Sequence, residues 1–145
     1  MGMRILSRAL AVGLFAGVAA GPSFASSASG LWTLPNGKVT IRVADCGKAL
    51  CAVIVALKQP IDTRTGKPKI DTKNPVEALR TRPVIGLSIL KGMKATGNGQ
   101  WKGAIYNPDD GHTYSATLRL DGDALRVQGC AIGFICKSNS FARAD

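Results

Sequence analysis

The sequence holds a single histidine, His112, and this scarcity limits the catalytic chemistry that the chain can support. A Ser/His/Asp hydrolase would have to use His112, which follows Gly111 in a turn-like segment, and no Gly-x-Ser-x-Gly motif occurs. No glycine-rich phosphate loop opens a helix either. We therefore interpret His112 as an exposed turn residue and expect no catalytic residues in a protein that is not an enzyme.

The chain also lacks an apolar segment long enough to cross a membrane. Its longest apolar run, residues 9–20, has 12 residues, whereas a transmembrane helix needs about 20. Two arginines precede this run, and the small residues Ser23 and Ala25 follow it, as in a secretory signal peptide. We predict cleavage after Ala25, a mature domain of residues 26–145, and a location in the periplasm or outside the cell.

Acidic residues are few, with nine Asp and Glu against 19 Lys and Arg. Two of the basic residues lie in the predicted signal peptide, which leaves the mature chain a formal charge of +8. A basic surface attracts nucleic acid, anionic lipid headgroups or acidic polymers, but charge alone does not identify a partner. The same charge also keeps a small exported protein soluble.

Cysteine is limited to four residues, and no Cys-x-x-Cys motif occurs. Cys46 lies close to Cys51, and Cys130 lies close to Cys136. Four cysteines allow three pairings, of which proximity favours the two local ones. A metal site or a redox pair is the alternative, although zinc ligands usually stand two to four residues apart and His112 is distant from both pairs.

Short apolar-polar alternations recur along the mature chain, separated by turn residues such as Asn36-Gly37 and Gly122. Segment 51–57 is nearly all apolar and is interpreted as a strand covered on both sides. About eight short strands with almost no helix favour a closed antiparallel barrel or a sandwich. The interior of an eight-stranded barrel is either filled by side chains or holds one small ligand. The strands are predicted at residues 30–34, 38–43, 51–57, 84–90, 101–106, 112–120, 124–130 and 135–143.

A long surface excursion is predicted at residues 58–83, where Pro, Lys, Thr and Asp replace the alternation. Within it, residues 74–80 have the pattern of a short helix, with Asn74 as the cap and Pro75 in the first position. The excursion is the densest basic segment and contains no aromatic residue, which argues against stacking on nucleic acid. It is either a solvated loop or a surface for an anionic envelope component or protein partner, through Arg64, Lys67, Lys69, Lys73, Arg80 and Arg82.

Aromatic side chains are the best candidates for lining a pocket, because they combine a large apolar surface with polar groups. The candidates are Trp32, Trp101, Tyr106 and Tyr114. The alternative is that they fill the barrel interior. Asp109 and Asp110 raise the possibility of a cation site, but calcium takes 6–8 oxygen ligands, and turn preference explains two acids after a proline. We therefore expect no metal and no cofactor.

Several segments, in this order, resemble DUF2147, a family of exported bacterial proteins of unknown function. The resemblance covers essentially the whole mature chain and implies a small lipocalin-like barrel in the periplasm or secreted space, with no established activity. His112 stands where the motif usually has Lys, and Phe141 where it usually has Trp. The matching segments are residues 30–32, 46–51, 74–87, 105–116 and 125–130.

A weaker similarity links the chain to true lipocalins. Gly30 and Trp32 near the first strand, with Arg143 near the last, resemble the Trp–Arg stack that closes their barrels.

Two hypotheses about function follow from the predicted barrel and its basic excursion. A ligand-binding module of the envelope requires a cavity of at least about 300 Å3, whereas a structural or interaction protein that acts through its basic excursion requires only a filled barrel.

Overall fold

The protein is an eight-stranded antiparallel barrel in a computed structural model that describes residues 27–144. Each strand pairs with the next one, and the first pairs with the last, so the sheet is closed as the resemblance implied. The predicted signal peptide lies outside the described residues. The strands are β1 Gly30–Thr33, β2 Val39–Cys46, β3 Ala49–Leu57, β4 Ser88–Gly97, β5 Gln100–Asn107, β6 His112–Asp121, β7 Ala124–Cys130 and β8 Cys136–Ala144.

Alternation along the strands separates the core from the surface. In β6, Ala116 and Leu118 are buried while Arg119 is exposed, because successive side chains point to opposite faces of the sheet. β3 follows the same rule, with every second residue from Leu50 to Ile54 buried and its neighbours half-buried. The prediction that segment 51–57 is covered on both sides is therefore wrong, since its outer valines remain partly accessible to solvent.

The fourth strand differs from the predicted segment 84–90. It begins at Ser88 and continues to Gly97. Residues 84–87 form a turn instead, in which the Leu87 amide donates to the Val84 carbonyl and Gly86 has a φ of +94°. The prediction failed because β4 contains register shifts and has exposed residues around Met93, which obscure the alternation.

The predicted helix at residues 74–80 is reduced to a 3-10 turn, Glu77–Leu79. Asn74 does not cap it, since the residue in the cap position is Val76 and no side chain caps the turn. The Asn74 side chain instead accepts a hydrogen bond from the Val76 amide at 2.9 Å. Pro75 therefore follows an Asx turn and does not open a regular helix.

The up-and-down order of strands gives the barrel two different ends. The connections β1–β2, β3–β4, β5–β6 and β7–β8 share one end, called the mouth, and the other three connections share the far end. The β3–β4 connection, residues 58–87, contains the excursion predicted at residues 58–83, and the whole connection is called the excursion below. One disulfide, Cys46–Cys51, lies in the far-end hairpin of β2 and β3, and the other, Cys130–Cys136, closes the β7–β8 connection at the mouth.

Candidate functional site

The barrel contains a cavity of about 970 Å3 that reaches the mouth. All four mouth connections contribute to its lining. The barrel is therefore open at the mouth and is not completely filled by side chains, and the cavity exceeds the volume that the ligand-binding hypothesis required. Seven strands, β2 to β8, contribute to its largely apolar wall, through residues such as Ile41, Ile54, Leu90, Ile105, Tyr114, Val127 and Phe141.

The rim of the cavity is basic. Five lysines contribute to the lining, against three aspartates. All five lysines are exposed, so their side chains lie in contact with water while the wall below them is apolar. A cavity of this kind can hold the apolar part of an amphipathic molecule and attract an anionic group to its rim. The lysines are Lys38, Lys58, Lys69, Lys73 and Lys137.

A buried polar cluster fixes the excursion against the barrel. The carboxylate of Asp71 is fully buried and accepts a hydrogen bond from the Tyr106 hydroxyl at 2.6 Å. Its other oxygen accepts from the Asn74 amide at 2.9 Å and from the Arg82 guanidinium at 2.9 and 3.0 Å. The Arg82 guanidinium also lies over the Tyr106 ring, 5.9 Å from the centroid. The cluster thus joins β5 to two separated parts of the excursion.

The surroundings of Asp71 determine its protonation. Burial alone would raise the pKa of Asp71, but hydrogen bonds from Tyr106, Asn74 and Arg82, together with the Arg82 charge, hold it below its ordinary value. Burial and the bond to Asp71 raise the pKa of Tyr106. The pair therefore stays as a carboxylate and a neutral phenol, with no tendency to exchange a proton near neutral pH. This chemistry suits an anchor better than a catalytic acid or base.

A second carboxylate, Asp110, organises the β5–β6 turn. It accepts from the Tyr114 hydroxyl at 2.7 Å, the Asn107 amide at 2.9 Å and the His112 backbone at 2.9 Å. Partial burial raises the pKa of Asp110, but these bonds outweigh that effect and lower it overall. The bond to Asp110 raises the pKa of Tyr114. Asp110 therefore stabilises the turn through these hydrogen bonds. His112 is an exposed residue next to the same turn.

The four predicted ligand-binding aromatics lie at different places. Tyr106 and Tyr114 belong to the cavity lining. Tyr114 faces Ile105 across the sheet, whereas Tyr106 is the next residue along β5 and so points to the opposite face, towards Asp71. Trp32 and Trp101 are not part of the lining. Trp101 shares the inner face with Leu118, but close to the far-end turn of β4 and β5.

The basic residues predicted to form a surface on the excursion fall into two groups, those exposed to solvent and those that bond within the excursion. Lys67, Lys69 and Lys73 are exposed. Arg82 is paired with the buried Asp71 carboxylate, and Arg80 donates from Nε to the Asn74 carbonyl at 2.8 Å. Arg80 and Arg82 therefore hold the excursion in shape. The three lysines, together with Arg64, whose side chain is 81% exposed, are the part of the predicted surface that is available to a partner.

Trp32 and Arg143 form the predicted stack at the far end. The Arg143 guanidinium lies 4.3 Å from the centroid of the Trp32 ring. Trp32 is fully buried and donates from its indole nitrogen to the Ala28 carbonyl at 2.8 Å. Arg143 also donates to the carbonyls of Ser27 and Ser29 at 3.0 and 3.3 Å. The chain before β1 is thereby tied to the seam between β1 and β8.

Sequence reasoning missed two features of this site. Asp71 was not singled out, because its partner Tyr106 lies 35 residues away along the chain. The exposed apolar residues of the β7–β8 connection were also missed, because apolar residues beside a cysteine are typical of a core. Within residues 27–144, no group of three or more His, Cys, Asp or Glu side chains is placed to hold a metal ion.

The location of the protein is constrained by its covalent structure. The two disulfides indicate an oxidising compartment outside the cytoplasm. Between residues 27 and 144 there is no helix with the length and hydropathy needed to cross a membrane.

The fold is similar to that of a solved structure described as protein HP1028 from the human pathogen Helicobacter pylori, which belongs to the lipocalin family. The TM-score is 0.69 at 21% sequence identity, and the match covers 83% of this chain and 85% of the other. At that identity the likeness establishes the fold, a lipocalin-like barrel. No curated protein is similar enough in sequence to count as a match.

The sequence motifs quoted above are distributed over the barrel strands, the excursion and the β5–β6 turn, so they describe the whole domain. Residues 30–143 match the family model described as an uncharacterized protein conserved in bacteria. This match spans almost all of the described residues, and the chain therefore belongs to the DUF2147 family.

Proposed function

We propose that this protein is a non-enzymatic barrel of the bacterial cell envelope that binds a small amphipathic ligand in its mouth cavity. The single observation that carries the proposal is the cavity of about 970 Å3 with an apolar wall and a lysine-rich rim. Ligand cavities in proteins commonly measure about 300–1,000 Å3 and combine apolar walls with a few polar groups. The lipocalin-like fold and the two disulfides support the same assignment.

The two ends of the barrel support a one-sided binding site. The far end is closed by the buried Trp32 and its stack with Arg143, whereas the cavity reaches the mouth. A ligand would therefore enter with its apolar part first and leave its polar group near the rim lysines. The buried Asp71 cluster holds the excursion that forms part of that rim.

A cavity-blocking variant tests the proposal. Asn139 lines the cavity from β8 and is exposed, so Asn139→Trp can occupy the cavity without replacing a core residue. We expect the fluorescent fatty acid cis-parinaric acid to bind the oxidised protein, and Asn139→Trp to weaken that binding at least about tenfold, or 1.4 kcal/mol. Fluorescence titration measures both affinities.

The neighbouring residue provides a matched control. Ser140 lies on the same strand, opposite the exposed Arg126 and therefore on the outer face. Ser140→Trp adds the same side chain and should leave the probe affinity unchanged. Equal binding by both variants, or no binding by the unmodified protein, would contradict the proposal. Native mass spectrometry of protein from a periplasmic extract, before and after denaturation, would then identify a natural ligand by its mass.

The alternative is an interaction protein of the envelope that acts through its basic excursion. The observation in its favour is that Lys67, Lys69 and Lys73 are exposed on a segment whose conformation is fixed by internal contacts. Such a surface would bind anionic partners in a salt-sensitive way. This function becomes the better one if the cavity binds neither the probe nor a natural molecule.

A further inference from the structure

The β7–β8 connection presents large apolar side chains to solvent at the mouth. Phe134 is 82% exposed, Ile132 is 64% exposed and Ile135 is 55% exposed. Single exposed apolar residues are ordinary, but three within four positions form a continuous apolar projection. We call residues 131–135 the tip.

The tip has a fixed shape. The Cys130–Cys136 disulfide closes its base, where the same two residues also pair across β7 and β8. Inside the loop, the Ala131 amide donates to the Ile135 carbonyl at 2.8 Å, and the Ile135 amide donates to the Ile132 carbonyl at 3.1 Å. The apolar side chains are therefore held outward by a constrained loop, and little conformational entropy remains to be lost when they are buried.

The tip stands beside the opening of the cavity and beside basic residues. Ala131 and Ile135 contribute to the cavity lining, and the exposed Lys137 follows the disulfide directly. The excursion, at the same end, adds exposed Ile61 and Ile70 and further rim lysines. The mouth thus combines projecting apolar groups with an excess of positive charge.

We propose that the mouth docks on an anionic lipid bilayer, with the tip inserted at the boundary between headgroups and acyl chains and the cavity facing the lipid. A bilayer supplies apolar surroundings for Phe134 and anionic headgroups for the lysines at the same depth, as for other interfacial anchors. A second copy of the chain fits less well, because two lysine-rich mouths would repel each other. The proposal concerns the outer surface and does not depend on what occupies the cavity.

Vesicle co-sedimentation tests the docking. At physiological ionic strength, the oxidised protein should bind vesicles of phosphatidylethanolamine with phosphatidylglycerol, and should bind phosphatidylcholine vesicles at least tenfold more weakly. The double variant Ile132→Ser/Phe134→Ser should lose at least tenfold in binding to the anionic vesicles. Lys137→Glu should weaken the binding, whereas Lys48→Glu, a matched change in the β2–β3 turn at the far end, should have a smaller effect.

The orientation has its own test. Trp32 and Trp101, the two tryptophans of the sequence, lie towards the far end, so brominated lipids should not quench the unmodified protein. In Phe134→Trp, the added tryptophan should be quenched on anionic vesicles. Near-UV circular dichroism confirms that each variant is folded.

Several outcomes would overturn the docking. They are the absence of binding to anionic vesicles, binding that the serine double variant leaves unchanged, and quenching of the native tryptophans alone. A dimer that the double variant dissociates would show that a second copy covers the tip. None of these results bears on Asn139→Trp, so failure of docking and failure of the cavity proposal can be told apart.

Discussion

At the scale of single residues, Asp71 is the side chain on which the shape of the mouth depends most. Among the described residues, it is the one charged side chain that is fully buried, and each of its carboxylate oxygens is hydrogen-bonded. A buried carboxylate is tolerated only when its charge is compensated, and here Arg82 and Tyr106 provide that compensation. A change at Asp71 should therefore loosen the excursion before it affects the barrel.

The variant Asp71→Asn should lower the free energy of unfolding by about 1–3 kcal/mol, because it leaves buried partners unpaired. The value stays below that of a fully buried ion pair because the Arg82 side chain is 35% exposed and can reach water. Urea denaturation measures it. The matched control is Asp62→Asn, which removes a 3.8 Å surface pair with Arg64 on the same excursion and should change the stability by less than about 1 kcal/mol.

The same comparison has a pH dependence whose sign follows from the pKa of Asp71. That pKa is lowered in the folded protein, so the ionised carboxylate stabilises the fold above its ordinary pKa of about 3.9. The contribution disappears as the pH falls through the lower folded value. The stability gap between the unmodified protein and Asp71→Asn should be constant near neutrality and should shrink below about pH 4. A stability gap that does not change with pH would show that the ionisation of Asp71 does not contribute to it.

At the scale of elements, the excursion is seated on the β5–β6 turn. Gly111 is buried, has a φ of +77°, and a methyl group there would overlap the carbonyl of Lys73. The sequence predicted this turn from residues 107–111, since Asn, Pro and Gly favour it locally. The sequence could not predict that the excursion packs against this turn, because the contact joins residues far apart along the chain.

We expect Gly111→Ala to displace the excursion and to loosen its backbone, so that trypsin cleaves faster after Lys69 and Lys73. The control is Gly122→Ala, which has a similar φ of +60° but no heavy atom within 4 Å of the added methyl group. Both variants share the strain of a left-handed backbone, about 1–2 kcal/mol. Only Gly111→Ala should speed tryptic cleavage of the excursion at neutral pH, as followed by mass spectrometry. Equal cleavage in the two variants would show that Lys73 does not rest on Gly111.

The strands show how much of the fold local pattern can predict. Alternation identified β2 and β6, because the pleat imposes a period of two. It failed for β4, where register shifts and the exposed residues around Met93 break that period. The sequence offered Trp101 as a pocket residue but could not give its height along the barrel axis, which depends on the tilt and stagger of all the strands.

At the scale of the whole molecule, the two ends of the barrel differ in structure. The cavity, the basic rim and the tip lie at the mouth, while the stack of Trp32 with Arg143 closes the far end. The resemblance to known families predicted the barrel and this stack. The hollow interior and the apolar tip could not be predicted, because they depend on how side chains from many strands share the same space.

Removing the Arg143 side chain should therefore lower stability without affecting the cavity. Arg143→Ala loses a cation–π contact worth about 0.5–2 kcal/mol and two hydrogen bonds to the chain before β1. We expect a total loss of about 1–3 kcal/mol in thermal unfolding, together with a weaker near-UV signal from Trp32. Arg126→Ala is the control, since the exposed Arg126 faces Arg119 across β6 and β7, and its removal relieves a like-charge contact.

The affinity for cis-parinaric acid should be the same in Arg143→Ala, Arg126→Ala and the unmodified protein, because the cavity opens at the other end. If Arg143→Ala leaves the stability unchanged, the stack does not hold the β1–β8 seam. If it lowers the probe affinity while the fold is retained, the two ends are coupled, and closure at Trp32 contributes to the shape of the cavity.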